Sequence, residues 1–325
     1  MKISIAMATY NGAKYIQEQL QSFVDQTRQP DELIITDDCS TDDTEIIVRK
    51  FAKNAPFKVE FHRNEINLGY CGNFNAALMK TSGDLVFLSD QDDVWFPEKI
   101  EYMTKIAVSN SDALAVMNDA ELTDGELNSV KLTKLGQMKS AGMGPEGFVM
   151  GCCAVVRREL LDLCLPIPKA FKAHDNWIIA FADGLDAKVV NSKVLQYYRR
   201  HESNESQFIA NRTTKVNRFH VIKGAVLSLF DKRSGEVFKE QLEQEKLLYS
   251  GIVGAFSKCS SRNRVRLEEM RKAVLSRINH REERINLRTK AFPRRLAMSF
   301  KMLVNGSYKE SSNGIKSFLR DLYGS

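Results

Sequence analysis

Three short polar clusters near the start of the chain carry the side chains best suited to chemistry. Thr9-Tyr10-Asn11-Gly12, Asp37-Asp38-Cys39-Ser40 and Asp90-Gln91-Asp92-Asp93 each close a strand-like run, Ile3–Ala8, Leu33–Thr36 and Asp84–Ser89. Ligands of open α/β sheets bind beyond the carboxyl ends of the strands, so the three clusters are expected to meet at one sheet edge. The last two clusters hold five carboxylates. Carboxylates that crowded repel one another unless a cation or a set of donors compensates them. A hard divalent cation, Mg²⁺ or Mn²⁺, held by one or two carboxylates and by substrate phosphates is the simplest compensator. For Asp37, Asp38 and Asp42 the alternative is a helix cap alone.

The intervals between the clusters alternate strand and helix patterns. Lys14–Gln26 places Tyr15, Ile16, Leu20, Phe23 and Val24 on one helical face. Ser40 or Thr41 is positioned to cap the next helix, with Asp42 and Asp43 in its first turn. Lys58–His62 reads as a strand, Cys71–Lys80 as a helix, Pro97–Val108 as a helix and Ala113–Asn118 as a strand. This alternation predicts a doubly wound, mostly parallel α/β sheet. Glu121–Gly147 has little periodicity and reads as one long loop. Phe148–Val156 reads as a buried strand, Arg158–Cys164 and Asn176–Phe181 as helices, and Val189–Tyr198 as one or two strands. Beyond His201 the strand patterns stop, and residues 206–303 read as amphipathic helices, with a last helix over Gly314–Tyr323.

Composition narrows the classes. With 325 residues, 43% hydrophobic and 27% charged, the chain can bury a large core and is not disordered. Its net charge of +6 divides unevenly: residues 1–204 carry 22 Lys/Arg against 29 Asp/Glu, and residues 205–325 carry 25 against 12. That change of sign places a domain boundary near residue 205, between an acidic 1–205 and a basic helical 206–325. The six cysteines show no CxxC pair or zinc spacing. With no export signal at the N-terminus, they are expected to be reduced thiols in a cytoplasmic protein. Cys152 and Cys153, inside an apolar run, read as small buried hydrophobes.

The ordered motifs Thr9-Tyr10-Asn11-Gly12, Asp37-Asp38-Cys39-Ser40, Asn67-Leu68-Gly69 and Asp90-Gln91-Asp92-Asp93 resemble those of glycosyltransferase family 2. Gly151-Cys152, His174-Asp175-Asn176-Trp177 and Tyr198-Arg199-Arg200-His201 with Asn204 extend the resemblance over residues 1–205. The run Ser89–Trp95 with the later His-Asp-x-Trp resembles the rhamnosyltransferase-like branch of bacterial polysaccharide synthesis. The resemblance implies a GT-A fold, a nucleotide-diphosphate sugar as donor and inversion at the anomeric carbon. It implies that Thr9, Tyr10 and Asn11 line the base pocket and that Asp38 bonds the base or ribose. Ser40, Asn67, Gly69 and Gln91 fall in the same nucleotide-sugar motifs. Asp90 would face the ribose and Asp92 would ligate the metal, with Asp93 as a second candidate ligand ranked below Asp92; His201 would complete the metal site or, equally, contact the diphosphate or a loop. Asp175 would take the acceptor proton, as a general base must. Gly151, Trp95, Trp177, Arg199 and Arg200 fall near the acceptor or the diphosphate; for both tryptophans, core packing remains an equal alternative.

The basic tail contains the amphipathic segment AFPRRLAMSFKMLV (residues 291–304), which fits an anionic membrane interface or a solvated face of a helical bundle. The first option suits a saccharide acceptor carried on a lipid at the inner face of the plasma membrane. No nucleic-acid motif appears, so nucleic acid is not an expected partner. Among donors, dTDP-rhamnose comes first and a UDP-hexose second. Two other classes fit less well. A non-catalytic nucleotide-sugar-binding subunit would have no need of Asp90-x-Asp92 with Asp175. A sugar-phosphate nucleotidyltransferase would show a Gly-rich phosphate loop near its start, which Thr9–Gly12 is not.

Overall fold

A computed structural model describes residues 1–202, 208–221, 234–310 and 314–323, in two compact units, Met1–Arg218 and Phe219–Ser325. Asn204 and the parts of the expected helical tail at 206–207 and 222–233 lie outside the described residues.

In the first unit the run Ile3–Thr9 forms β1, whose Ile3, Ile5 and Met7 are fully buried. It pairs in parallel with β2 (Glu32–Asp37) on one side and β4 (Leu85–Ser89) on the other, and β3 (Lys58–Arg63) adds to β2. Strands buried on both faces read as continuous apolar runs, which is why β1, β2 and β4 stand out in the sequence. The crossovers are α1 (Ile16–Val24), α2 (Thr44–Ala52) and α3 (Gly69–Leu78). Because all these strands run the same way, the three polar clusters leave the sheet at one edge.

The sheet continues through β8 (Ala154–Arg157), β6 (Ala115–Thr123), β9 (Lys188–Arg199) and the short β5 (Val94–Trp95), in the order β3-β2-β1-β4-β8-β6-β9-β5. β8 enters antiparallel to both β4 and β6, whereas β6 and β9 are parallel. The antiparallel pair β5–β9 brings the segment after Asp93 against the strand that ends at Arg199. Helices α4 (Lys99–Ser109), α6 (Arg158–Cys164) and α7 (His174–Gly184) complete this part.

Three local expectations differ from the structure. Glu121–Gly147 is not one loop: β6 runs on to Thr123, turns into β7 (Ser129–Thr133) and is followed by α5 (Lys134–Ser140). Polar bonds rather than an apolar period hold it. Asp124 Oδ1 accepts the N–H groups of Glu126 and Asn128, Asp119 Oδ1 accepts from Leu135 N–H, and Thr133 Oγ1 caps α5 by accepting from Gly136 N–H. Within Phe148–Val156 only the end is extended, because Gly151–Cys153 forms a 3-10 turn. The cap of α2 comes from neither Ser40 nor Thr41; Asp42 Oδ1 accepts from Thr44 N–H at 3.1 Å.

The first unit extends to Arg218 because 208–218 packs on α5. Val216 N–H donates to Gln137 Oε1 at 2.9 Å, and Ser140 Oγ donates to the Val216 carbonyl at 2.6 Å. The second unit contains α8 (Ser234–Ala255), α9 (Arg264–Arg288), α10 (Phe292–Val304) and α11 (Gly314–Tyr323). Leu287, Met302 and Tyr308 form a small core with Phe318. Beside it, buried Asp321 pairs with Arg284 at 2.6 Å and with Arg288 at 2.7 Å. Among the described residues no helix is long and apolar enough to cross a membrane. All six cysteines are free.

Candidate active site

Side chains tie the three clusters into one rim. Tyr10 N–H donates to Gln91 Oε1 at 2.9 Å, and Gln91 Nε2 donates back to the Tyr10 carbonyl at 3.0 Å. Gly12 makes room for this amide: a Cβ there would lie 2.2 Å from Oε1. Asn11, at φ 47°, takes the left-handed conformation that Asn tolerates. Its N–H donates to Ser40 Oγ at 2.8 Å and its Oδ1 accepts from Thr41 N–H at 2.8 Å. Thr9 is buried, with its hydroxyl donating to Asp37 Oδ2 at 3.0 Å, so it shapes the rim without reaching into it. Tyr10 leaves half of its surface exposed, enough for a base to stack on.

Asp37 and Asp38 have different tasks. Asp37 is enclosed by Thr9 and Ser40, whose N–H donates at 2.9 Å. Asp38 Oδ1 accepts from Leu68 N–H at 2.7 Å and from Asn64 Nδ2 at 3.0 Å. Asn67 donates to the Asp38 carbonyl at 3.1 Å and accepts from Gly69 N–H at 3.0 Å, with Gly69 at φ 71°. This arrangement leaves Asp38 Oδ2 without a donor among the described residues.

The Asp90–Asp93 turn meets β9 and the turn before β8. Asp93 is fully buried and accepts from Gln196 Nε2 at 2.9 Å and Arg199 N–H at 3.2 Å. Ligand atoms of Asp90, Asp93 and Cys152 lie within 4.8 Å of one another. Burial and the neighbouring Asp92 carboxylate push Asp90 up to about 7, and the same two causes push Asp93 well above the carboxylate range. Burial also raises the Cys152 thiol, which keeps its proton and is a poor ligand for a hard cation. Buried Lys99 lies beneath this group. It donates to the Cys152 carbonyl at 2.7 Å and to Gln196 Oε1, lies 3.9 Å from the Trp95 ring centroid, and is held down at about 8 by burial.

Asp92 points the other way. Its Oδ2 lies 2.7 Å from His201 Nε2, and both side chains keep some exposure. The His201 ring stacks on Tyr15 with centroids 4.9 Å apart. The donor set tests well for a divalent cation. Asp90, Asp92 and Asp93 gather here, two of them raised by burial first and by the neighbouring carboxylate second, and Asp92 with His201 offers an oxygen and an imidazole nitrogen, a set suited to Mn²⁺.

Asp175 is the second residue of α7, half-buried, with Oδ1 accepting from Asn176 N–H at 2.7 Å. It contributes to raising Asp90, so the two carboxylates share one field. Gly151 brings the two segments together: a Cβ there would lie 2.7 Å from His174 Nε2 and 3.4 Å from Asp175 Cβ. His174 itself is buried and stacked on Phe74 at 3.8 Å between centroids.

Several expected ligand contacts are spoken for within the fold. Trp177 is only 1% exposed and its indole N–H donates to the Cys164 carbonyl at 2.7 Å, so it is a core residue with no face for a sugar. Trp95 is equally enclosed, edge-on to Phe23 at 4.7 Å. The Arg199 guanidinium is buried; it donates to the Asp92 and Gly125 carbonyls, each at 2.8 Å, and pairs with Glu18. Arg200 is half-buried and reaches the Tyr198 hydroxyl at 3.3 Å. The sequence does not single out Lys99, Gln196, Asn64 or Asn73, whose Oδ1 accepts from Asn64 Nδ2 at 3.0 Å and whose Nδ2 donates to the Thr9 carbonyl at 3.0 Å. Lys99 has a local signal, four residues after Trp95; the others are read only from the fold.

A mostly parallel sheet whose first strands end in polar turns at one edge, an Asp-x-Asp turn among them, is the architecture of the GT-A fold of glycosyltransferases. The glycosyl transferase family 2 profile matches residues 4–164, and that part of the chain belongs to the family. It is 28% identical over 228 residues to an uncharacterized glycosyltransferase of Nostoc sp., covering 66% of this chain and 70% of that one. It is likewise 28% identical over 238 residues to the dTDP-rhamnosyl transferase RfbG of Shigella flexneri, covering 67% and 79%. The crystal structure of residues 1–349 of S. aureus TarS in complex with UDP superposes with a TM-score of 0.51 at 21% identity, over 87% of this chain and 90% of that one.

Proposed function

We propose that the protein is a metal-dependent, inverting glycosyltransferase that moves a sugar from a nucleotide diphosphate to a hydroxyl of a surface-polysaccharide acceptor. The observation that carries this reading is the gathering of two kinds of group: the Asp92–His201 pair beside the Asp90 carboxyl, and Asp175 at the start of α7, near enough to Asp90 to raise it. Tyr10 and Asn11 receive the base, and Asp38 Oδ2 receives a base or ribose donor. Asp92 and His201 would hold Mn²⁺ or Mg²⁺, with the Asp90 and Asp93 carboxyls beside them. When bound, the cation neutralises charge on the departing diphosphate.

Asp175 accepts the proton of the acceptor hydroxyl as its oxygen bonds to the anomeric carbon. The bond from that carbon to the diphosphate oxygen breaks with its electron pair on the leaving nucleotide. One displacement from the face opposite the leaving group inverts the centre. Likeness to RfbG supports dTDP-rhamnose as the first donor to test, with a UDP-hexose second. A lipid-linked acceptor would bring the enzyme to the cytoplasmic face of the membrane, a contact supported by the basic helices of the second unit.

The test is donor turnover with Mn²⁺ over a panel of dTDP- and UDP-sugars. Asp175→Asn is expected to lower transfer by about 10²–10⁴-fold while leaving donor affinity within about twofold. Full transfer by this variant, or no binding of any donor by the wild type, overturns the reading.

A further inference from the structure

Helix α10 is packed with its apolar side outward. Ser299 and Met302 are buried and Arg295 is half-buried, whereas Phe292, Leu296, Phe300, Leu303 and Val304 are exposed, Phe300 by 58% and Val304 by 70%. At 3.6 residues per turn, Phe292, Leu303, Leu296 and Phe300 fall within an arc of about 80°. Arg294 and Lys301 lie together on one flank, about 100° beyond Phe300, and both are exposed. Large apolar side chains left in water forgo part of the free energy of burial. A contiguous stripe of four is therefore an interaction surface rather than a scatter of surface hydrophobes.

Charge selects the occupant. Between Glu283 and Glu310 the chain has no acid, while Lys290, Arg294, Arg295 and Lys301 sit on or beside α10. A second copy docking through a two-fold axis would bring the same basic flank against itself, which repels. Anionic headgroups complement the flank and hydrocarbon complements the stripe. The helix has 13 residues, too short to span a bilayer and long enough to lie along one.

We infer that α10 docks in the plane of an anionic bilayer, with Phe292, Leu296, Phe300 and Leu303 in the acyl boundary and Arg294 and Lys301 on the headgroups. This deepens the membrane contact proposed above and assigns it to one helix face. Docking also places the enzyme where an acceptor sugar on a lipid carrier is presented, so it acts on acceptor encounter and leaves donor chemistry alone.

The full-length protein is floated with vesicles of phosphatidylglycerol and phosphatidylcholine, and with phosphatidylcholine alone. Wild type is expected to float with the anionic vesicles and to be released by salt. Leu296→Asp/Phe300→Asp and Arg294→Glu/Lys301→Glu are each expected to lose about 10-fold or more of that binding. Both pairs are exposed, so the fold and the Mn²⁺-dependent hydrolysis of soluble donor are expected to match wild type. Donor turnover by a wild type that never floats overturns the docking and leaves the transferase reading standing. Flotation without turnover of any donor supports the docking and counts against that reading. Equal flotation of the variants, or a solution dimer that Leu296→Asp/Phe300→Asp converts to monomer, overturns the lipid assignment.

Discussion

His201 Nε2 lies 2.7 Å from Asp92 Oδ2 across 109 residues of sequence. The pair forms because β9 runs antiparallel to β5, the strand that follows the Asp-x-Asp turn, and delivers His201 just past its end. Tyr15 stacks on the imidazole and limits its rotation. If both groups hold the cation, His201→Ala should raise the Mn²⁺ concentration for half-maximal donor hydrolysis by about 10–100-fold, with less effect at saturating metal. Asp92→Asn should abolish hydrolysis at any metal concentration. Chelation with EDTA should stop turnover, and added Mn²⁺ should restore it. An unchanged Mn²⁺ requirement in His201→Ala would remove this residue from the metal site.

Gly151 sets how closely α7 approaches the turn before β8. Any side chain there meets His174 Nε2 at 2.7 Å, and His174 has no room to retreat because it is buried against Phe74. Gly151→Ala should therefore shift α7 and Asp175 with it. The expected cost is about 1–3 kcal/mol of stability, with a fall in transfer larger than the fall in donor binding. Urea unfolding followed by tryptophan fluorescence reads the first part directly, since both tryptophans, Trp95 and Trp177, lie in the first unit.

What could be read from the sequence depended on which force holds each segment. β1, β2 and β4 are apolar on both faces, so their runs and the polar clusters at their ends were legible, and with them most of the rim. β7 and α5 were not, because Asp119, Asp124 and Thr133 hold that region through side chain–backbone bonds that leave no period. Trp177 illustrates a different limit. An indole in the first turn of a helix has the same sequence signature whether it faces a sugar or, as here, the Cys164 carbonyl in the core. Arg199 is engaged by Glu18, 181 residues away, a pairing that only the closure of the sheet creates.

Glu32 gives the first unit a defined response to acid. Burial alone would raise its carboxyl, but hydrogen bonds from the Lys2 ammonium, the Ser4 hydroxyl and Ser82 outweigh burial and hold it down at about 2, against an ordinary 4.5. A carboxyl depressed on folding adds stability that is fully present above its unfolded value and is lost as pH falls through its folded value. The contribution should thus be complete above pH 4.5 and vanish near pH 2. Glu32→Gln should cost about 2–3 kcal/mol at pH 7, and the difference from wild type should shrink steadily between those two values. A pH-independent difference would show that packing, not charge, is what the variant removes.

Lys99 is the remaining lever on the site. Its ammonium, against the Trp95 ring, donates to the Cys152 carbonyl and to Gln196, and Gln196 in turn donates to Asp93. Lys99→Met keeps the length of the side chain and removes the charge. It removes the ammonium that interacts with Asp90 and Asp93 and leaves two acceptors unpaired. Removing one member of a buried charged set costs about 3–5 kcal/mol. Combining Lys99→Met with Asp93→Asn removes both charges, so the double variant should be more stable than the sum of the single losses implies, by about 1 kcal/mol or more. Fluorescence-detected urea unfolding of the four proteins gives this coupling. Strict additivity would mean that Lys99 serves packing alone and does not offset the carboxyls of the Asp-x-Asp turn.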